Sequence, residues 1–157
     1  MSMRTLTLAF SALLLATLSA SAQAGGKTNP CTLVTKAEVQ EAFGTTVGDP
    51  NLNKNNSSVC DFLVGGMSPV NVMVGGLLPG DSMEKTMAEL KKRNIQTQAV
   101  SGIGDRAYFA AQAYGMQQLS VYKGSKFFIL TALVMGAPEA KVRGMLQVLA
   151  RKALPRI

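Results

Sequence analysis

At 157 residues the chain has the length of one domain, and its formal net charge of +7 comes without a single histidine. The missing imidazole removes the commonest general base and the commonest transition-metal ligand. Two cysteines without a Cys-x-x-Cys spacing leave no redox-active pair.

The chain opens with Arg4 ahead of an apolar run, Leu6 to Leu18, and Ala22-Gln23-Ala24 has the small-x-small pattern of a signal-peptidase site. The run is short for a membrane span, and no later segment approaches it. The expectation is a cleaved signal peptide over residues 1–24, a flexible lead over 25–30 and a single domain over 31–157. No cysteine directly follows the run, so lipid attachment is not expected. The mature chain is then periplasmic or secreted, and not an integral membrane protein. In that oxidising setting Cys31 and Cys60 are expected to pair as a structural disulfide. Loss of the leader removes only Arg4 among charged residues, so the domain stays basic. Outside the cytoplasm its polyanions would be lipid head groups, lipopolysaccharide or acidic polysaccharide rather than nucleic acid.

Thr35 and Glu38 have capping-box spacing, with Val34 and Val39 as a hydrophobic staple and Gly44 as the stop, which predicts a first helix over Lys36 to Phe43. The Asn-rich segment Thr45–Ser58 reads as a mobile loop. Alternation predicts strands at Val59–Val64 and through Val70, Val72 and Val74. Asp81, with Glu84 three residues on, starts a second helix whose apolar stripe is Met83, Met87 and Leu90. Lys91, Lys92 and Arg93 close it, complementing the helix dipole. Three more strands follow near Arg106–Gln112, Met116–Lys123 and Lys126–Met135, the last two joined by a tight turn at Gly124-Ser125. The near-continuous apolar run from Phe127 to Val134 implies a strand that is central or covered on both faces. Pro138 opens a third helix burying Val142, Met145, Leu146, Leu149 and Ala153 and leaving Lys141, Arg143, Arg151 and Lys152 outside. The order α-β-β-α-β-β-β-α predicts an α+β fold: an antiparallel sheet of about five strands with helices packed on one face.

Three segments together resemble a family of small exported bacterial proteins and lipoproteins of unknown function. They are Cys31-Thr-Leu-Val-Thr-Lys-Ala-Glu-Val39, Cys60-Asp-Phe62 and Gly102-Ile-Gly-Asp-Arg-Ala-Tyr108 within Val100–Tyr108. The family shares a Cys-x-Leu-Leu-Thr-x-x-Glu-Val start, a Cys-x-Tyr and a Gly-Leu-Gly-Asp-x-Ala-Tyr. This chain departs at Val34, Phe62 and Ile103 and lacks the lipid-attachment cysteine. The resemblance implies a disulfide-linked α+β envelope domain and supplies no catalytic residues.

Chemistry is sparse. Ser125 and Lys126 are adjacent in a turn, which suits no Ser–Lys catalytic pair. Asp61 and Asp105 would have to approach across the sheet to make an acid–base or cation site, whereas an anchored turn at Asp105-Arg106 needs only local bonds. Gly102-Ile-Gly104 lacks the third glycine of a phosphate loop, Ala107 standing in its place, and reads as a bend. Met83, Met87, Met116 and Met145 are the candidate lining of an adaptable apolar pocket. A thioether copper(I) site at Met83 and Met87 is the sharper alternative, which core packing outweighs because the stripe continues through Leu90. Tyr108, Phe109, Tyr114 and Tyr122 read as sheet-surface packing. Lys91, Lys92, Arg93, Arg143, Arg151 and Lys152 are candidate contacts to an anionic surface. The expectation is therefore a soluble, non-catalytic binding module without metal or cofactor. Its partner would be an envelope protein or an amphiphilic or anionic envelope component. Alternatives are an inhibitor of an envelope hydrolase or an enzyme built on Asp, Lys or Tyr.

Overall fold

A computed structural model describes residues 28–157; the expected leader, its expected cleavage site and the first residues of the expected lead lie outside the described residues. The ordered chain begins earlier than expected. Asn29 accepts the Cys31 N–H on its side chain at 2.9 Å and starts a 3-10 turn at Pro30, which is buried. Cys31 and Cys60 form the expected disulfide, closing a separation of 29 residues.

Helix α1 (Lys36–Phe43) forms as its capping residues dictate. The Thr35 hydroxyl accepts the Glu38 N–H at 3.2 Å, the Glu38 carboxylate accepts the Thr35 N–H at 2.8 Å, and Gly44 ends the helix in the left-handed region. Glu38 does more than cap. Both its oxygens accept from Arg156 at 2.7 Å, and the same guanidinium reaches the Leu33 carbonyl at 2.8 Å. The Arg156 bonds, with the Thr35 bonds behind them, hold the Glu38 carboxyl down from its ordinary 4.5 to about 2. A depressed carboxyl stabilises the fold above its unfolded value and loses that contribution as pH falls toward its folded value. Urea unfolding is therefore expected to show Glu38→Gln about 1–2 kcal/mol less stable than wild type near neutral pH, a range set by solvent screening at this rim. The gap closes as pH falls from 4.5 to about 2.

The sheet has seven antiparallel strands rather than five: β1 (Asn51–Leu52), β2 (Val59–Val64), β3 (Ser68–Gly76), β4 (Thr97–Val100), β5 (Arg106–Ala111), β6 (Gln117–Lys123) and β7 (Lys126–Ala132), in the order β1-β2-β3-β7-β6-β5-β4. The five expected strands are its interior, and the two extra ones are short edges. The Asn-rich segment is ordered rather than mobile. Val47 bridges Val64, β1 pairs with β2, and the Asn53 side chain accepts the N–H groups of Asn55 and Asn56 to turn the chain back. β7 stands at the centre, which accounts for its near-continuous apolar run.

Helices do not keep to one face. α1 and α3 (Glu139–Ala153) cover the side that carries Val70, Val72, Phe109, Leu119, Phe128 and Leu130, and with them make the main core. α2 (Met83–Lys92) lies on the other side, with Met83, Met87 and Leu90 against Tyr108, Ala110 and Tyr122. Period-two alternation assigns the two faces: in β7 Phe128 and Leu130 point to α3, Phe127 and Ile129 to α2. Two helix starts also shift by a residue. Ser82, not Asp81, caps α2, its hydroxyl accepting the Lys85 N–H at 3.2 Å, and Pro138 is the cap of α3 rather than its first residue.

Strand directions gather the β2–β3 turn, the β5–β6 turn, the β7–α3 connection and the α2–β4 connection at one end of the sheet. The β6–β7 turn and the C-terminus occupy the opposite end, where the Lys123 ammonium donates to the carbonyls of Leu154 and Ile157.

Candidate functional site

The half-covered side of the sheet carries a groove of about 810 Å³ between α2 and strands β3, β7 and β6. Its floor is apolar: Met73, Ile129, Phe127, Tyr122 and Tyr108. Register explains the arrangement. Met73 faces Ile129, Ile129 faces Ser120, and Ser120 faces Tyr108, so one row crosses four strands. The next row brings Gly75, Phe127 and Tyr122 side by side. Gly75 makes this row possible, because a Cβ there would meet the Phe127 ring at 2.5 Å. The three rings form a continuous run, Tyr108 to Tyr122 at 6.2 Å and Tyr122 to Phe127 at 5.8 Å between centroids.

The roof is thin. None of the residues of α2 is fully buried, although its apolar stripe faces the floor. Ion pairing between Glu84 and Arg106 and a bond from the Lys85 ammonium to the Gly80 carbonyl fasten its first turns. Asp81, Lys85, Glu89 and Lys92 make a charged rim on the side of α2 that faces β3. Towards the Lys92 end the groove is lined by Gln118, the last residue of a polar row that continues outside the groove on the same face of the sheet. Asp61, Asn71, Thr131 and Gln118 face one another in register across β2, β3, β7 and β6. Asp61 accepts from Asn53 at 2.9 Å and from Asn71 at 2.7 Å. Burial pushes the Tyr108 phenol up to about 12, against the opposing bond with Ser120. An apolar trough with a charged lip and the Gln118 amide at one end suits a molecule that is itself apolar at one end and polar at the other.

The methionines expected to line a pocket are not brought together. Met83 and Met87 lie under α2, Met145 packs against the main core on the opposite side of the sheet, and Met116 follows the β5–β6 turn. Met73, unmarked by the helical stripe, supplies the thioether in the groove. Phe127 and Ile129 were readable as floor residues only from the doubly apolar run of β7, which demands something against both faces. Tyr108 and Tyr122 pack on the sheet as expected and Phe109 lies in the main core, but Tyr114 is 94% exposed on a turn.

Other candidates separate as well. Asp61 on β2 and Asp105 before β5 have three strands between them, roughly 19 Å at ordinary strand spacing. Asp105 serves the anchored turn instead, accepting the Gly124 N–H at 2.7 Å. Of the basic candidates, Arg143 is committed: its guanidinium lies 5.0 Å over the Phe109 ring, donates to Gln117 at 2.8 Å and Gln98 at 2.5 Å, and pairs with Glu139. It is a cross-link between α3 and the sheet, not an outward-facing cation. Lys152 pairs with Glu41 at 2.8 Å and Lys92 with Glu89 at 2.6 Å. Lys91, Arg93 and Arg151 take part in no ion pair among the described residues. No helix among those residues is long and apolar enough to cross a membrane, and none of their acidic or cysteine side chains gather as a metal site. Against known proteins, no family model, no curated protein and no solved structure matches the chain.

Proposed function

We propose that the chain is an exported, non-catalytic binding domain that holds an amphiphilic envelope component in the groove between α2 and the sheet. One observation carries this reading: a row of aromatic and aliphatic side chains lies beneath a helix none of whose own residues is fully buried. A floor of that kind gains from being covered, and a helix held by its first turns can shift to admit what covers it. The export signals in the first 24 residues and the Cys31–Cys60 disulfide fit a site of action outside the cytoplasm. The lack of histidine, the separation of Asp61 from Asp105 and the engagement of Arg143 support binding rather than catalysis.

Calorimetric titration with lysophosphatidylglycerol below its micelle concentration tests the groove. Ile129→Glu places a carboxylate in the half-buried floor without touching the α3-side core, and it is expected to weaken binding at least about tenfold. Equal affinity in wild type and Ile129→Glu would place the ligand elsewhere.

A further inference from the structure

Three large apolar side chains stand almost free in water at one end of the sheet: Met67 at 80% exposure, Tyr114 at 94% and Met135 at 76%. They sit on three different turns, yet the turns are neighbours. The Leu133 N–H donates to the Pro69 carbonyl at 3.2 Å, which sets the β7–α3 connection beside the β2–β3 turn. Gln117 faces Ala132, which sets the β5–β6 turn beside that connection. The Ala111 N–H donates to the Gln96 carbonyl at 3.4 Å, so the end of α2, with Lys91 and Arg93, adjoins the same group. Among the described residues, the opposite end of the sheet exposes one comparable apolar residue, Leu78 at 70%.

Tyr114 sharpens the point. Its backbone is left-handed, φ 61° and ψ 23°, a region that costs a tyrosine free energy and a glycine almost none. The side chain repays nothing in packing at its exposure. An aromatic kept in a strained, solvent-facing position is the kind of outlier from which a contact outside the fold is inferred.

From these observations, and resting on the reading of an exported binding domain, we infer that this end docks on an anionic lipid bilayer, with Met67, Tyr114 and Met135 entering the head-group region and Lys91 and Arg93 facing the phosphates. Separate apolar tips flanked by unpaired cations fit an interface that moulds around them, and tyrosine is suited to the head-group level. Cations near such a surface add attraction that salt screens. The end of the groove lined by Gln118 and Lys92 lies towards this same end of the sheet, so a docked domain would have that end of its groove nearer the lipid.

The test is sedimentation with phosphatidylglycerol-containing vesicles, using the full chain expressed with its own leader and recovered in its exported form. Met67→Ser with Tyr114→Ser and Met135→Ser is expected to weaken binding at least about tenfold. Lys91→Gln with Arg93→Gln is expected to cost about fivefold per charge, an effect that shrinks in high salt. Lys54→Gln with Lys126→Gln removes the same charge away from this end and is expected to change binding less than about twofold. Tyr114→Gly is expected to raise the unfolding midpoint while weakening vesicle binding, a pairing that a structural role for the ring does not give. Absence of binding to anionic vesicles at low salt overturns the inference. So does an equal loss in the Lys54/Lys126 variant, or capture of a protein by these turns with vesicle binding intact in the tip variants. The tip variants should leave the lysophosphatidylglycerol titration unchanged, and Ile129→Glu should leave vesicle binding unchanged, so failure of one idea is separable from failure of the other.

Discussion

Replacing Cys31 and Cys60 together by alanine is expected to cost about 3–4 kcal/mol of folding stability, the chain-entropy value for a loop of this length. The disulfide spans a separation of 29 residues and ties the 3-10 turn to β2. What it pins is not peripheral: Leu33 and Val34, just after Cys31, are fully buried, as is Cys60. Without the cross-link the segment before α1 must be ordered by packing and by the Arg156 bond to the Leu33 carbonyl. For a domain of this size the midpoint of thermal unfolding should fall by roughly 10–15 °C. Reduction of the wild-type protein should reproduce the loss. A change below about 1 kcal/mol would mean that the unlinked chain keeps this end in place through Leu33, Val34 and the Glu38–Arg156 pair.

Gly104→Ala is expected to be nearly as damaging, at about 3 kcal/mol. Gly104 has φ +64°, and a Cβ there would meet the Tyr122 carbonyl oxygen at 2.6 Å and Val121 at 2.8 Å. Left-handed backbone costs a non-glycine residue about 1–2 kcal/mol, and overpacking against fixed neighbours adds a similar amount. Gly102 is the internal control. Its φ is +74°, but a Cβ would find open space, so Gly102→Ala should cost only about 1 kcal/mol. Equal losses by denaturant unfolding would contradict the close approach. The contrast gives the Gly102-Ile-Gly-Asp segment a physical meaning. Ile103 plugs the core at 1% exposure, Gly104 lets the chain touch β6, and Asp105 bonds the Tyr122 carbonyl through its N–H and the Gly124 N–H through its carboxylate. The segment clamps the β6–β7 hairpin and needs no bound phosphate to account for it.

Much of the fold is written in short-range chemistry and could be read there. Thr35 and Glu38 announce α1, the alternating valines announce β3, and the doubly apolar β7 announces its own central place. The edges could not be read in this way. Asn51 and Leu52 are both exposed and sit among asparagines, while Thr97-Gln98-Ala99-Val100 shows no alternation because neither face of β4 is fully covered. The side of the sheet taken by α2 was likewise hidden. A stripe of Met83, Met87 and Leu90 says that a helix has a buried side, not which surface it meets, and the answer lies with Tyr108 and Tyr122, distant in sequence. The same limit applies to the cations. Arg143 looks like an outward residue at helical spacing, and only the fold reveals Phe109 and Gln117 beneath it. The lining of the groove depends on strand register, which no local pattern specifies, and none of the four methionines expected to line a pocket is among its lining residues.

The account stands most directly on whether the sheet face beneath α2 accepts an amphiphile. Titration of the wild-type protein with lysophosphatidylglycerol should give saturable binding at one molecule per chain, with slowed hydrogen exchange in α2 (Met83–Lys92) and little change in α3. A titration that shows no saturable uptake, or one that protects α3 and leaves α2 as it was, would contradict it.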